Sequence, residues 1–231
     1  MRSFLGFLFL VALLLGVFAF AVLPVAGPGL VSAVIRGTPP LAGQDVTVTA
    51  DVTPAALLQG AIGRIDLAGP SVGIGPARAN AVAVSIDGLS VVDRSFSNLD
   101  GHAALVLITE PDGTFIELHD ARISGDSESL DALGEIRADE VTRLLAARLA
   151  FAGVPIEAIR LETGAIVLSA AGQEIVSRLS IEGDSVVLTP EAGLQPVTVS
   201  AGLPTPWELV ALDVTPAGIT VHARLAGAHL G

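Results

Sequence analysis

Cysteine, tyrosine and lysine are all missing from this chain. Without cysteine there is no disulfide, no thiolate nucleophile and no lipid attached through an N-terminal cysteine, and the redox compartment stays open. Without lysine there is no Schiff-base amine and no P-loop. Aromatics are scarce. Five of the eight Phe (Phe4, Phe7, Phe9, Phe18, Phe20) fall in the first twenty residues, leaving Phe96, Phe115, Phe151 and Trp207 for the remainder. The core beyond the N-terminal stretch must therefore be aliphatic. Positive charge is also sparse: twelve Arg stand against 24 acidic residues, a net charge of −12. A chain so acidic, with no basic tract, repels polyanions, which excludes a nucleic-acid partner.

What is present begins with twenty uncharged residues, Phe4 to Leu23. As a helix they would span about 30 Å, the thickness of a bilayer's hydrocarbon core. Arg2 precedes them and no basic residue follows until Arg36, which places the N-terminus in the cytoplasm and the rest outside. We read residues 1–26 as a signal anchor or transmembrane helix in the cell membrane, crossing once. The rival is a cleaved signal peptide ending near Ala19-Phe20-Ala21, which would release an exported soluble form. Residues 27–44 are punctuated by Pro and Gly and read as a tether. Residues 45–226 read as one domain, and 227–231 as a tail.

Within that domain most stretches alternate as strands do. Val46 to Val52 and Ala79 to Leu89 are examples; Ile65 to Leu67 and Val72 to Ile74 look like short pieces. Ala103 to Ile108 (AALVLI) is apolar on both faces and belongs in a sheet's interior. Pro111-Asp112-Gly113 turns it into a hairpin partner, Thr114 to Ser124. In that partner Ile116 and Leu118 have one parity and Ala121 and Ile123 the other, so a bulge near His119 is expected. Ser127 to Leu133 is polar and reads as a turn of helix. Four strands between Ile156 and Thr189, separated by glycine turns, form a meander, and a final hairpin turns at Thr215 to Gly218 with Ile219 and Val221 inward. Ile136 to Pro155 is the exception. Val141, Leu144, Leu145 and Leu149 recur at helical spacing, acidic residues open the segment, and Gly153 and Pro155 close it. The expectation is an α+β fold, an antiparallel β-sheet curled around one long amphipathic helix and preceded by an N-terminal transmembrane helix.

Three segments resemble the LmeA-like phospholipid-binding family of bacterial envelope proteins. Leu57 to Val91 (LLQGAIGRIDLAGPSVGIGPARANAVAVSIDGLSV) is similar to that family's opening strands. Ile136 to Leu168 is similar to its central helix, short strand, glycine and apolar strand. Pro206 to Leu225 is similar to its closing hairpin. The family's amphipathic helix before the opening strand is replaced here by the Pro/Gly tether. The resemblance implies non-catalytic, extracytoplasmic binding of a phospholipid or similar amphiphile in an aliphatic cavity, with membrane and lipid as partners. The candidate lipid-contacting residues are Leu57, Leu58, Val141, Leu144, Leu145, Leu149, Ile166, Leu168, Val210 and Leu212. Arg64, Arg78 and Arg94 are headgroup candidates by position alone. The helix stripe is either solid core or cavity wall. The alternative function is a structural or interaction domain of the cell envelope that holds no ligand.

Catalytic and metal patterns fail on context. Gly125-Asp126-Ser127 and Gly183-Asp184-Ser185 resemble an esterase's nucleophile block, but no His has an Asp three residues earlier, and both triplets read as turns. There is no G-x-S-x-G, and Arg78 stands where a G-x-G-x-x-G needs its last glycine. The four His form no H-x-H or H-x-x-x-H pair, so neither metal nor cofactor is expected.

Overall fold

A computed structural model describes residues 41, 43–53, 55–56, 59–74, 77–90, 92–109, 113–151, 155–183, 185–191, 195–200 and 207–226. Two antiparallel sheets dominate it. The first is built from β1 (Thr47–Asp51), β2 (Ala61–Ile74), β3 (Ala77–Ser90), β4 (Asn98–Thr109), β5 (Phe115–Gly125) and β6 (Ser129–Arg137), joined by β12 (Glu208–Thr215) and β13 (Gly218–Ala226). Its order is β1-β2-β3-β4-β5-β6-β13-β12. The second holds β7 (Ala158–Glu162), β8 (Ala165–Ala170), β9 (Gln173–Glu182), β10 (Ser185–Pro190) and β11 (Val197–Ser200), in the order β11-β10-β9-β8-β7. One helix, α1 (Ala138–Phe151), connects the two.

This corrects the α+β expectation. The helix starts where the periodicity placed it, but its 14 residues reach only about 21 Å. Alanines at 138, 146, 147 and 150 dilute its apolar face, and of its apolar side chains only Val141, Leu145 and Leu149 are buried. Such a narrow stripe makes α1 a cover laid against the sheets, not an axis they wind around. The membrane reading is corrected too. Among the described residues no helix is long and apolar enough to cross a membrane. The stretch Phe4 to Leu23 lies outside the described residues, so the single-pass, outward-facing placement finds no support.

The strands explain themselves by burial. In β8, Ile166, Val167 and Leu168 are all buried, and in β10 so are Val186, Val187 and Leu188, as apolar runs covered on both faces should be. β4, the two-faced run, is interior to the larger sheet. The last hairpin turns where expected, with Thr215 paired to Gly218. Two expectations fail. The pieces around Ile65 and Val72 are one 14-residue strand running through Pro70, and Ser127 to Leu133 leads into a strand, β6, not a helical turn.

Pro70 survives because it stands at an unpaired level. Gly69↔Val82 and Ser71↔Asn80 pair on either side, while Ala81 opposite it has φ +50°. The same level passes between Ala103 and Leu105 on β4 and reaches Asp120, with φ +48°, on β5. There the register against β6 shifts between His119 and Arg122. Ile123 pairs with Ala132, and a Cβ on Gly134 would touch Leu118 at 3.3 Å. Ala132 and Gly134 share one face of β6, so residues of opposite parity on β5 point to the same side.

Two hydrophobic clusters result. One gathers Val46, Val48, Val52, Ile62, Ile65 and Val72 under β1–β3. The other joins Val141, Leu145 and Leu149 to residues of both sheets, including Ile166, Leu188, Val214 and Ile219. Backbone bonds tie this second region together: Ala138 N–H donates to Ala217 O at 2.9 Å, and Gly164 N–H to Val214 O at 2.9 Å.

Candidate functional site

Between α1 and the two sheets lies an apolar cavity. From α1 it takes Val141, Leu144 and Leu145. The larger sheet adds Ile108, Ile116, Leu118 and Ile136, then Ile219 and Val221 of β13 and Leu209 and Leu212 of β12. The smaller sheet adds Leu179, Val186, Val199 and Ser200. Water-sized molecules have about 110 Å³ here, several times the ~10–15 Å³ that one water requires. Only Val141, Leu145, Val186 and Ile219 are buried; the others are half-buried, so the space is partly open to solvent. Ser200 is the one polar residue of the lining.

Local irregularities build this wall. Leu209 and Leu212 differ in parity, yet both face the cavity, because the β12–β13 register shifts between Leu209 and Ala211. Val210 is the extra residue, and its side chain is 43% exposed. The bulge on β5 brings Leu118 to the same side as Ile123, as argued above.

The sequence-derived residues divide. Val141, Leu144, Leu145 and Leu212 come together in the cavity. Leu149 and Leu168 line a second space further along α1, about 500 Å³ on the same measure, with Ile156, Ile175, Leu188 and Pro190. Ile166, 0% exposed, is solid core. Val210 points away from the cavity, and Leu57 and Leu58 lie outside the described residues. Missed were Ile219 and Val221, although their alternation marked them as inward, and Ile108, Ile116 and Leu118, whose phase depends on the bulge.

None of the three headgroup arginines belongs to the cavity lining. Arg64 is held on the sheet surface, its Nε 2.9 Å from Asp66 Oδ1 and its Nη1 3.6 Å from Asp87. The hydrogen bond to Asp66 raises its pKa and lowers that of Asp66. Arg78 is exposed and pairs across with Leu107, whose parity opposes that of Ile108 in the cavity wall. Arg94 is exposed in the turn after β3, at φ +53°. A cation that the sequence did not single out does sit beside the cavity. Arg143 precedes Leu144 on α1, and its guanidinium lies 4.9 Å from the ring centroid of Phe115, the neighbour of Ile116. Its Nε donates to Glu140 Oε2 at 2.9 Å, and this bond raises its pKa. Glu140 is 9% exposed, so the ion pair satisfies a carboxylate that burial would otherwise penalise.

Several other polar groups hold local structure. Asp126 Oδ1 accepts the N–H groups of Glu128 and Ser129 at 2.8 and 3.1 Å, which is turn chemistry. Asp184 and His229 lie outside the described residues. His222 pairs with Asp131 at 3.2 Å and His119 with Glu117 at 3.7 Å. Among the described residues no three His, Asp or Glu gather as a metal site. No protein family, curated protein or solved structure matches the chain.

Proposed function

We propose that this protein binds the acyl part of a phospholipid or a similar amphiphile, without catalysis, in the cavity roofed by α1. The observation that carries the reading is the lining itself: aliphatic side chains from both sheets and the helix, most of them half-buried, around space that none of them fills. Wetting such a wall is unfavourable, and each methylene that replaces water there contributes about 0.8 kcal/mol. Aliphatic walls give few directional contacts, which suits tolerance of chain type. The resemblance to LmeA-like proteins points the same way. The rival, a ligand-free structural or interaction module, needs a filled interior, and the space beside Leu144 supports the lipid reading over it.

The test is extraction of the purified protein with organic solvent and mass spectrometry of the extract. Lipid should be recovered in a near-stoichiometric ratio after gel filtration. A chain that stays lipid-free after incubation with phospholipid micelles would refute the proposal.

A further inference from the structure

The two apolar spaces beside α1 are built from the same elements, one after the other. Leu145 lines the smaller and Leu149, one helical turn or about 6 Å further on, the larger. On β10, Val186 and Leu188 divide in the same way, and Leu188 pairs directly with Leu179, which lines the smaller. One short stretch belongs to both. Gln195, Pro196, Val197 and Thr198 line the larger space, and Val199 and Ser200 the smaller. Its strand, β11, is an edge of the smaller sheet. Of all the residues lining the two spaces, only Gln195, Pro196 and Thr198 are exposed. The polar ones, Gln195, Thr198 and Ser200, all stand on this stretch too. The two spaces therefore share one wet, polar rim, and everything behind it is apolar.

Two apolar spaces that meet at a polar rim have the form of two hydrocarbon chains joined at a polar backbone. A ligand with one chain would leave one of the two walls against water, which is unfavourable. We propose, resting on the lipid reading above, that the ligand is a two-chain lipid. One acyl chain enters the smaller space and the second the larger, which at about 500 Å³ is the roomier of the two. The glycerol and headgroup stay at the rim, over Gln195, Thr198 and Ser200. The larger space is then the second half of the same binding site, and it selects two-chain over one-chain amphiphiles.

The experiment loads the full-length protein from vesicles of dioleoyl phosphatidylcholine containing an analogue with a diazirine at the end of each acyl chain. After irradiation the adducts are mapped by mass spectrometry. They should fall in two groups, one around Leu118 and Leu212 and the other around Leu168 and Ile175. Adducts in one group alone would overturn the inference while leaving lipid binding intact. A second arm offers dioleoyl phosphatidylcholine together with its one-chain lyso form. Ile175→Trp, whose ring would take up part of the larger space, should shift the retained ratio about a hundredfold toward the lyso form, the worth of about four methylenes. An unchanged ratio in the folded variant would also overturn the inference; if the variant does not fold, the adducts on wild type decide alone. Retention of neither lipid by wild type would remove both this inference and the reading on which it rests.

Discussion

Leu144 and Leu145 are adjacent on α1 and both line the cavity, but they are not equivalent. Leu145 is 4% exposed and belongs to the second hydrophobic cluster; Leu144 is half-buried and outside the cluster's buried set. A Trp at 144 should lay its indole into existing space, displacing water or lipid and straining little. If the ring takes the place of about four methylenes of a bound chain, lipid binding weakens by ~3 kcal/mol, more than about a hundredfold. Stability should stay within ~1 kcal/mol of wild type. A Trp at 145 instead meets packed neighbours and should cost ~1–3 kcal/mol, lowering Tm by roughly 3–10 °C in a domain of this size. Thermal denaturation followed by circular dichroism, with lipid retention measured on the same samples, reads both quantities. The reasoning fails if Leu144→Trp folds and still retains lipid at the wild-type level. It also fails if the Trp at 144 proves as destabilising as the one at 145.

Three further outcomes follow from the geometry. Val210→Asp should change stability by less than ~0.5 kcal/mol because the bulge turns that side chain outward, whereas Leu212→Asp, two residues on, should unfold the protein or nearly so; urea midpoints compare them. Gly218→Ala should destabilise by more than ~2 kcal/mol, since φ is +155° and an added Cβ would collide with the backbone of Ile136; a Tm within a degree of wild type would contradict this. Asp131 has its pKa lowered, first by the hydrogen bond from Arg224 and also by that from His222. Its stabilising contribution is therefore present above the unfolded carboxylate pKa of about 3.9 and is lost as pH falls through the lower folded value. The urea midpoints of wild type and Asp131→Asn should differ at pH 7 and converge in acid.

Much of the strand pattern was legible because it depends on local chemistry. Thr215-Pro216-Ala217-Gly218 specifies a turn whatever surrounds it, and the glycine-separated runs after Ile156 could only be short strands. The start of α1 was legible for the same reason. Its role was not, because apolar spacing marks a face without saying how much protein lies against it. Pro70 hid β2, since a proline in a strand is tolerated only where pairing lapses, and that lapse is set by Ala81 on the neighbouring strand. Within the site, Val210 and Leu212 looked equivalent by parity, and only the pairing with β13 separates them. Nothing in the spacing marks Arg143, because its partners, the buried carboxylate of Glu140 and the ring of Phe115, are brought to it by the fold.

The two hydrophobic clusters share no residue, and β4 and β5 stand between β1–β3, which carry one, and α1 with its facing strands, which carry the other. Cooperativity within each is therefore stronger than between them. On the proposed lipid reading the strain of ligand entry falls on the contacts of α1, and it need not spread to the strands beyond β4. The chain can breathe at one end while the other keeps its register, a division of the molecule into separately opening units. In native-state hydrogen exchange, amides of β2 and β3 should keep their protection when those of α1 and β11 are lost.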